Sequence, residues 1–307
     1  MVADTRAPAL DGATAWLNSD PLTPADLHGH VVAYDFWTYT CVNWLRTLPY
    51  LRAWVDRYRE HGLIVVGIHT PEFVFEHRLG NVRDAVGIDR IDYPVVVDND
   101  YKIWRAFDNH YWPALYLADA VGVIRHHQFG EGGYKQAERV IQELLEEAGR
   151  RDVPRGLVDV EPVGVEVAAD WDHVGSPETY LGVSRGQGFV SERNDLRLNR
   201  WTRDGTWSTR QDSVVLEDGA GGIAYRFRAR DVNVVLGATR GEVPFRVLLD
   251  GEAPGTSHGA DCDADGRGVV SQSRLYQLVR LEDPLDEHTF EITFAAPGVA
   301  AFAFTFG

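Results

Sequence analysis

Two textures of apolar spacing run along this chain, and they meet near residue 150. Before that point, short apolar runs alternate with stretches whose apolar residues recur every three or four positions. Residues 31–37 (VVAYDFW) have the β-branched and aromatic content of a buried strand. A helix is predicted to begin at or just before Cys41, because Leu45, Leu48, Leu51, Trp54 and Val55 then share one face. Residues 63–69 (LIVVGIH) form a second apolar run, entered from a helix that His61-Gly62 would end. The pattern then predicts a helix over 76–86, a strand over 93–97 and a short helix over 101–107. Strands over 113–118 and 123–129 and an amphipathic helix over 136–148 follow. Residues 1–29 are a lead-in segment with a turn or short helix at 23–27. Such alternation implies an α/β layer with a largely parallel centre, spanning 1–150.

Residues 151–162 (RDVPRGLVDVEP) are charged and proline-bearing, the texture of a linker. Beyond them no long helical pattern appears. Alternating runs at 223–229, 233–236, 245–250, 275–280, 289–294 and 300–306 are separated by turn signals such as Asp250-Gly251 and Asp265-Gly266. They predict an all-β sandwich of jelly-roll type over 163–307. Its scattered aromatics, Trp171, Tyr180, Phe189, Trp201, Trp207 and Tyr276, would serve either as core or as a platform for sugar rings.

The length of 307 residues accommodates two such domains, and 44% hydrophobic with 25% charged residues is ordinary for a globular chain. A formal net charge of −16 argues against nucleic acid and anionic membrane surfaces as partners. Apolar runs are of strand length, too short to span a membrane. The first residues lack a basic region followed by an apolar one. With two cysteines, Cys41 and Cys262, a disulfide-stapled scaffold is not expected, and a reducing cytoplasm is the simpler expectation.

Strand, turn and then a cysteine on the first turn of a helix is a chemically specific placement. Unpaired amides and the helix dipole put partial positive charge there. Cys41 should therefore titrate below the free-cysteine value of about 8.5 and act as a nucleophile. Arg46, one turn further along, is placed to stabilise a thiolate. In the second half, Asp261, Asp263 and Asp265 have the D-x-D-x-D-G spacing of a calcium loop, with Gln272 at its twelfth position instead of glutamate. No other cofactor is implied. Cys262, inside this loop, is expected to be solvent-accessible.

Three features around Cys41 add up to a family resemblance. Asp35 lies at the end of the preceding strand, Pro49 lies inside the following helix, and Trp112-Pro113-Ala114 precedes a later strand. This resembles the thioredoxin superfamily. The stretches TYTCVNWLRTLPYLRAW, TPEF, YWPALYLAD, FGEGGY, TYLG, RLYQLVR and FTFG extend the likeness to a redoxin of the TlpA or peroxiredoxin-like type followed by a β-sandwich. The layout is similar to the extramembrane part of DipZ-type cytochrome c biogenesis proteins. The resemblance implies an α/β thioredoxin-like domain followed by an all-β domain. It implies that Asp35 is a buried carboxylate beneath the cysteine, with a raised pKa and either a proton-accepting or a structural role. Pro113 would be cis and face the sulfur, and the backbone of Trp112 would pair with an extended substrate. Trp37, Trp44 and Glu72 would join them along the substrate groove.

One position departs from the family. Its Cys-x-x-Cys motif is Cys41-Val42-Asn43-Trp44 here, and tryptophan cannot attack a mixed disulfide. Three outcomes stay open for the lone thiolate. It could reduce peroxide through a sulfenic acid. It could exchange with a thiol or disulfide substrate and be resolved by an external thiol reductant. Or the fold could serve only for binding a glycan or protein partner. Thr38 with Cys41 echoes the Thr-x-x-Cys of peroxiredoxins, without that motif's proline.

Overall fold

The central strand and helix of the first half form where the apolar spacing puts them. The computed structural model describes residues 5–283 and 286–307, and the chain divides into two units, Met1–Pro162 and Val163–Gly307. The first unit runs β1 (Ala15–Leu17), α1 (Pro24–Leu27), β2 (Val31–Trp37), α2 (Val42–Tyr58), β3 (Leu63–His69), α3 (Leu79–Ile88), β4 (Val95–Val97), α4 (Lys102–Ala106), β5 (Ala114–Ala118), β6 (Ile124–Phe129) and α5 (Tyr134–Glu147). Its six-stranded sheet has the order β1-β4-β3-β2-β5-β6. The β2–β3 and β3–β4 pairs are parallel, and β2–β5 and β5–β6 are antiparallel. All seven residues of β2 are buried, as in a strand covered on both faces.

Alternation along β2 sorts its side chains. Val32, Tyr34 and Phe36 enter a core with Val66, Ile68, Ile103 and Phe107. Asp35 and Trp37 point to the opposite face, the one that α2 covers. Within α2 the predicted apolar face, Leu45 to Val55, is buried together with Pro49.

Two helices differ from expectation. The helix predicted over 76–86 is a 3-10 turn, Val74–His77, followed by α3, because Arg78 between them is extended. The short helix starts one residue late, since Tyr101 adopts a left-handed φ of 56°. Residues 151–162 fall within the first unit. Gln142 donates to the Gly156 carbonyl at 3.1 Å and the Val158 amide donates to Glu138 at 2.9 Å, which seats this stretch on α5.

The second unit contains β7 (Thr179–Tyr180), β8 (Arg200–Thr209), β9 (Val214–Phe227), β10 (Asp231–Ala238), β11 (Val243–Leu249), β12 (Arg267–Val270), β13 (Arg274–Arg280), β14 (His288–Phe294) and β15 (Val299–Phe306). It is all-β and antiparallel, but its nine strands are one hydrogen-bonded network rather than two separate sheets. The joint is β9. Val214 and Val215 pair with β15, whereas residues 221–227 pair with β14. Trp201 and Tyr276 belong to the core, while Trp171 and Phe189 are exposed, so the aromatics divide between core and surface. Among the described residues, no helix is long and apolar enough to cross a membrane.

Candidate active site

Cys41 caps the N-terminus of α2 with extended backbone, φ −77° and ψ 109°. It is half-buried and is not in a disulfide. Its amide donates to the Thr38 carbonyl at 3.2 Å, and its carbonyl accepts from Leu45 at 3.0 Å. The turn from 38 to 41 therefore leaves the sheet tightly and enters the helix at the cysteine. Sheet register brings the second element alongside. Phe36 pairs with Ala114, so Pro113 lies next to Trp37, at the sheet end from which the cysteine turn departs. The Trp112–Pro113 peptide bond is cis. Trp112 is half-buried, donates to the Thr70 carbonyl at 3.1 Å and packs on Trp104 at 4.3 Å.

Asp35 lies wholly buried under α2. Burial pushes its carboxyl up to about 7, partly offset by a hydrogen bond from Trp44. The Trp44 indole Nε1–H donates to Asp35 Oδ2 at 2.9 Å. The other oxygen, Oδ1, has no hydrogen-bond partner among the described residues. Trp44 stacks on Trp37 with ring centroids 4.3 Å apart. Both rings have no exposed surface, which corrects the expectation that they line a substrate groove. They are core, and Trp44 is tied to the carboxylate that the family keeps beneath its active thiol.

Arg46 is corrected as well. It is 2% exposed, and its guanidinium pairs with Glu131 at 2.9 Å. That carboxylate comes from the FGEGGY loop, so the charge of Arg46 is already matched by a neighbour other than the sulfur. Thr38 is fully buried, and its hydroxyl has no hydrogen-bond partner among the described residues.

Glu76 is the residue that the sequence did not single out. Glu72, which it did, is half-buried and donates its amide to Glu76 Oε2 at 2.5 Å. Glu76 itself is fully buried and accepts from Thr40 Oγ1 at 2.6 Å and from the Phe73 amide at 2.9 Å. Burial first, and then the nearby Glu72, push its carboxyl up to about 7. Its sole sequence signal is an acid set among Phe73, Val74 and Phe75. His69 was also missed. It ends β3, lies edge-on to Trp37 at 4.9 Å and stacks with Tyr39 at 5.7 Å. Burial lowers its imidazole to about 3, so it stays neutral.

The three aspartates of the acidic loop in the second unit are each held by their own donors. Asp261 accepts from Arg274 at 2.6 Å and from the Gln277 amide at 2.7 Å. Asp263 accepts from the Arg267 amide at 2.8 Å, and Asp265 from the Arg267 guanidinium at 2.6 Å. Their oxygens turn to separate donors, and no group of three or more His, Cys, Asp or Glu among the described residues could hold a metal ion. Cys262 is buried instead of accessible, 8% exposed, and its thiol donates to the Leu278 carbonyl at 3.2 Å. Burial pushes this thiol up to about 11.

Residues 176–307 match the family described as the thioredoxin-like C-terminal domain. The chain is similar to protein DipZ of Mycobacterium tuberculosis, with 33% identity over 317 residues, covering 98% of this chain and 43% of DipZ. It thus spans less than half the length of that relative. Its first half is similar to the thiol-disulfide oxidoreductase YkuV of Bacillus subtilis, with 30% identity over 140 residues, covering 46% of this chain and 94% of YkuV. A solved thioredoxin-like protein in its oxidised form has 31% identity and a TM-score of 0.44, covering 48% of this chain and 99% of that structure.

Proposed function

The chain belongs to the thioredoxin-like family that includes DipZ and YkuV, and from that premise we propose that it performs thiol–disulfide exchange with Cys41 as its sole nucleophile. One observation carries this reading. The position of the family's resolving cysteine holds Trp44, buried and bonded to Asp35, so no second thiol follows Cys41 in the helix.

The Cys41 thiolate attacks one sulfur of a substrate disulfide. The substrate S–S bond breaks, a mixed disulfide forms, and the departing sulfur takes up a proton. A first external thiol then attacks the Cys41 sulfur and releases the second substrate thiol. A second external thiol attacks the new mixed disulfide and frees Cys41. The substrate gains two electrons, and the two external thiols leave as a disulfide. Partial positive charge at the α2 N-terminus favours the thiolate at each return. Peroxide reduction would follow the same cysteine through a sulfenic acid. The likeness of the first half to the thiol-disulfide oxidoreductase YkuV favours disulfide exchange over peroxide reduction.

The test is a reductase assay on an oxidised peptide with glutathione as reductant. Cys41→Ser should lose turnover and Cys262→Ser should keep it. Turnover that survives Cys41→Ser would refute the assignment.

A further inference from the structure

Two buried carboxylates flank the cysteine turn, and they are held differently. Asp35 is bonded to Trp44, a core side chain of α2. Glu76 is bonded to the turn itself, through the hydroxyl of Thr40, the residue before Cys41. With its second oxygen Glu76 gathers the amides of Glu72 and Phe73, so one side chain joins the TPEF loop to the turn that presents the thiol. Thr38, at the other end of the turn, accepts the Cys41 amide on its carbonyl.

We infer that the acid–base partner of the cysteine turn in this chain is Glu76, a positioning residue acting through Thr40, and that Asp35 is kept from that part by Trp44. This rests on Cys41 being the nucleophile. An ionised Glu76 sets negative charge beside the turn and disfavours the thiolate, whereas a protonated one does not. The groups that face it are Thr38, Tyr39 and Thr40 on the turn and Glu72 on the loop. Tyr39 in turn stacks on His69 at the end of β3, and His77 and Arg78 follow Glu76 on its own segment. Of these, Glu72 adds to the repulsion, His69 stays neutral, and Arg78 acts on Tyr39 in the opposite sense to Glu76.

The experiment is the rate of Cys41 alkylation by iodoacetamide against pH in the full chain, read on the Cys41 peptide by mass spectrometry. The wild type should show two inflections, one from the thiol and one near pH 7, where Glu76 titrates. Glu76→Gln should erase the near-neutral inflection and move the thiol midpoint down by about one pH unit, the scale of removing a like charge at close range. Asp35→Asn, which keeps an oxygen for Trp44, should retain both inflections. Thr40→Val, which removes the donor that stabilises ionised Glu76, should move the near-neutral inflection upward. It decides the matter even if Glu76→Gln does not fold. A single inflection in the wild type, an unmoved inflection in Thr40→Val, or its loss in Asp35→Asn would each overturn the inference. Absence of reductase turnover would sink the proposed function and leave this alkylation comparison intact.

Discussion

Cys41 and Cys262 both sit in polar turns, one in each unit, and the two turns are built on opposite terms. Around Cys262 the polar groups are satisfied. Asp261, Asp263 and Asp265 are bonded to arginines or backbone amides, and the thiol donates to Leu278 in a nearly dry setting that raises it to about 11. Around Cys41 the polar groups are held near their switching points. Cys41 is half-buried at the start of α2, where its side chain makes no capping hydrogen bond. Two buried carboxylates sit at about 7, and Asp35 Oδ1 and both nitrogens of His69 have no hydrogen-bond partner among the described residues. Buried polar groups left unpaired cost stability, so a fold keeps them where they have a use. The same residue type thus stands half-buried at a helix start in one place and in the core in the other.

The largest effect that tests this contrast is chemical. Cys41→Ser should lower reductase turnover by at least about a thousandfold, the scale of removing a nucleophile, while Cys262→Ser leaves it unchanged. Equal losses would erase the comparison. Next is the core beneath the turn. Trp44→Ala removes a fully buried indole and should cost about 3–5 kcal/mol in denaturant unfolding. Trp44→Cys should restore an internal resolving thiol, seen by mass spectrometry as a disulfide to Cys41 that the wild type cannot form.

A smaller effect is set by pH. Asp35 and Glu76 are both raised, from 3.8 and 4.5 respectively to about 7, so each binds its proton more tightly folded than unfolded. The stability this represents is present below about pH 4 and is lost as pH rises toward 7, on the order of a few kcal/mol for each group. His69 opposes it. Its base is depressed from 6.5 to about 3, so it destabilises the fold as pH falls through that window. Asp35→Asn should flatten the carboxyl part, measured as the difference in Tm between pH 5 and pH 8. The smallest effect concerns the acidic loop, where millimolar calcium should leave Tm within about 1 °C. A larger rise would show that the loop opens to bind the ion.

Much of the fold was readable from spacing, because β2, β3 and α2 bury continuous or three-to-four-residue apolar patterns. Cys41 was readable from its place at the start of α2, whereas Asp35 and Pro113 were marked by the thioredoxin resemblance. Glu76 was not. It meets Thr40 across 36 positions, and a contact that distant leaves no periodic trace. The partner of Arg46 lies 85 positions away, on the glycine-rich loop after β6. Trp37 ended an apolar run that pointed to burial, and the nearness of Trp37 and Trp44 to the cysteine drew both toward the groove instead. In the second unit β9 was only half seen. Its middle, Glu217 to Gly222, is acidic and glycine-rich, and that hid a 14-residue strand that joins both parts of the sheet.

The central claim, a single nucleophile completed from outside, is tested most directly by the fate of a mixed disulfide. The reduced chain is mixed with excess glutathione disulfide, freed of small molecules and weighed by intact-mass and peptide mass spectrometry over time. One glutathione on Cys41, stable until free thiol is added and then lost, is the predicted result. An adduct that clears without added thiol, or no adduct on Cys41 at all, would contradict it.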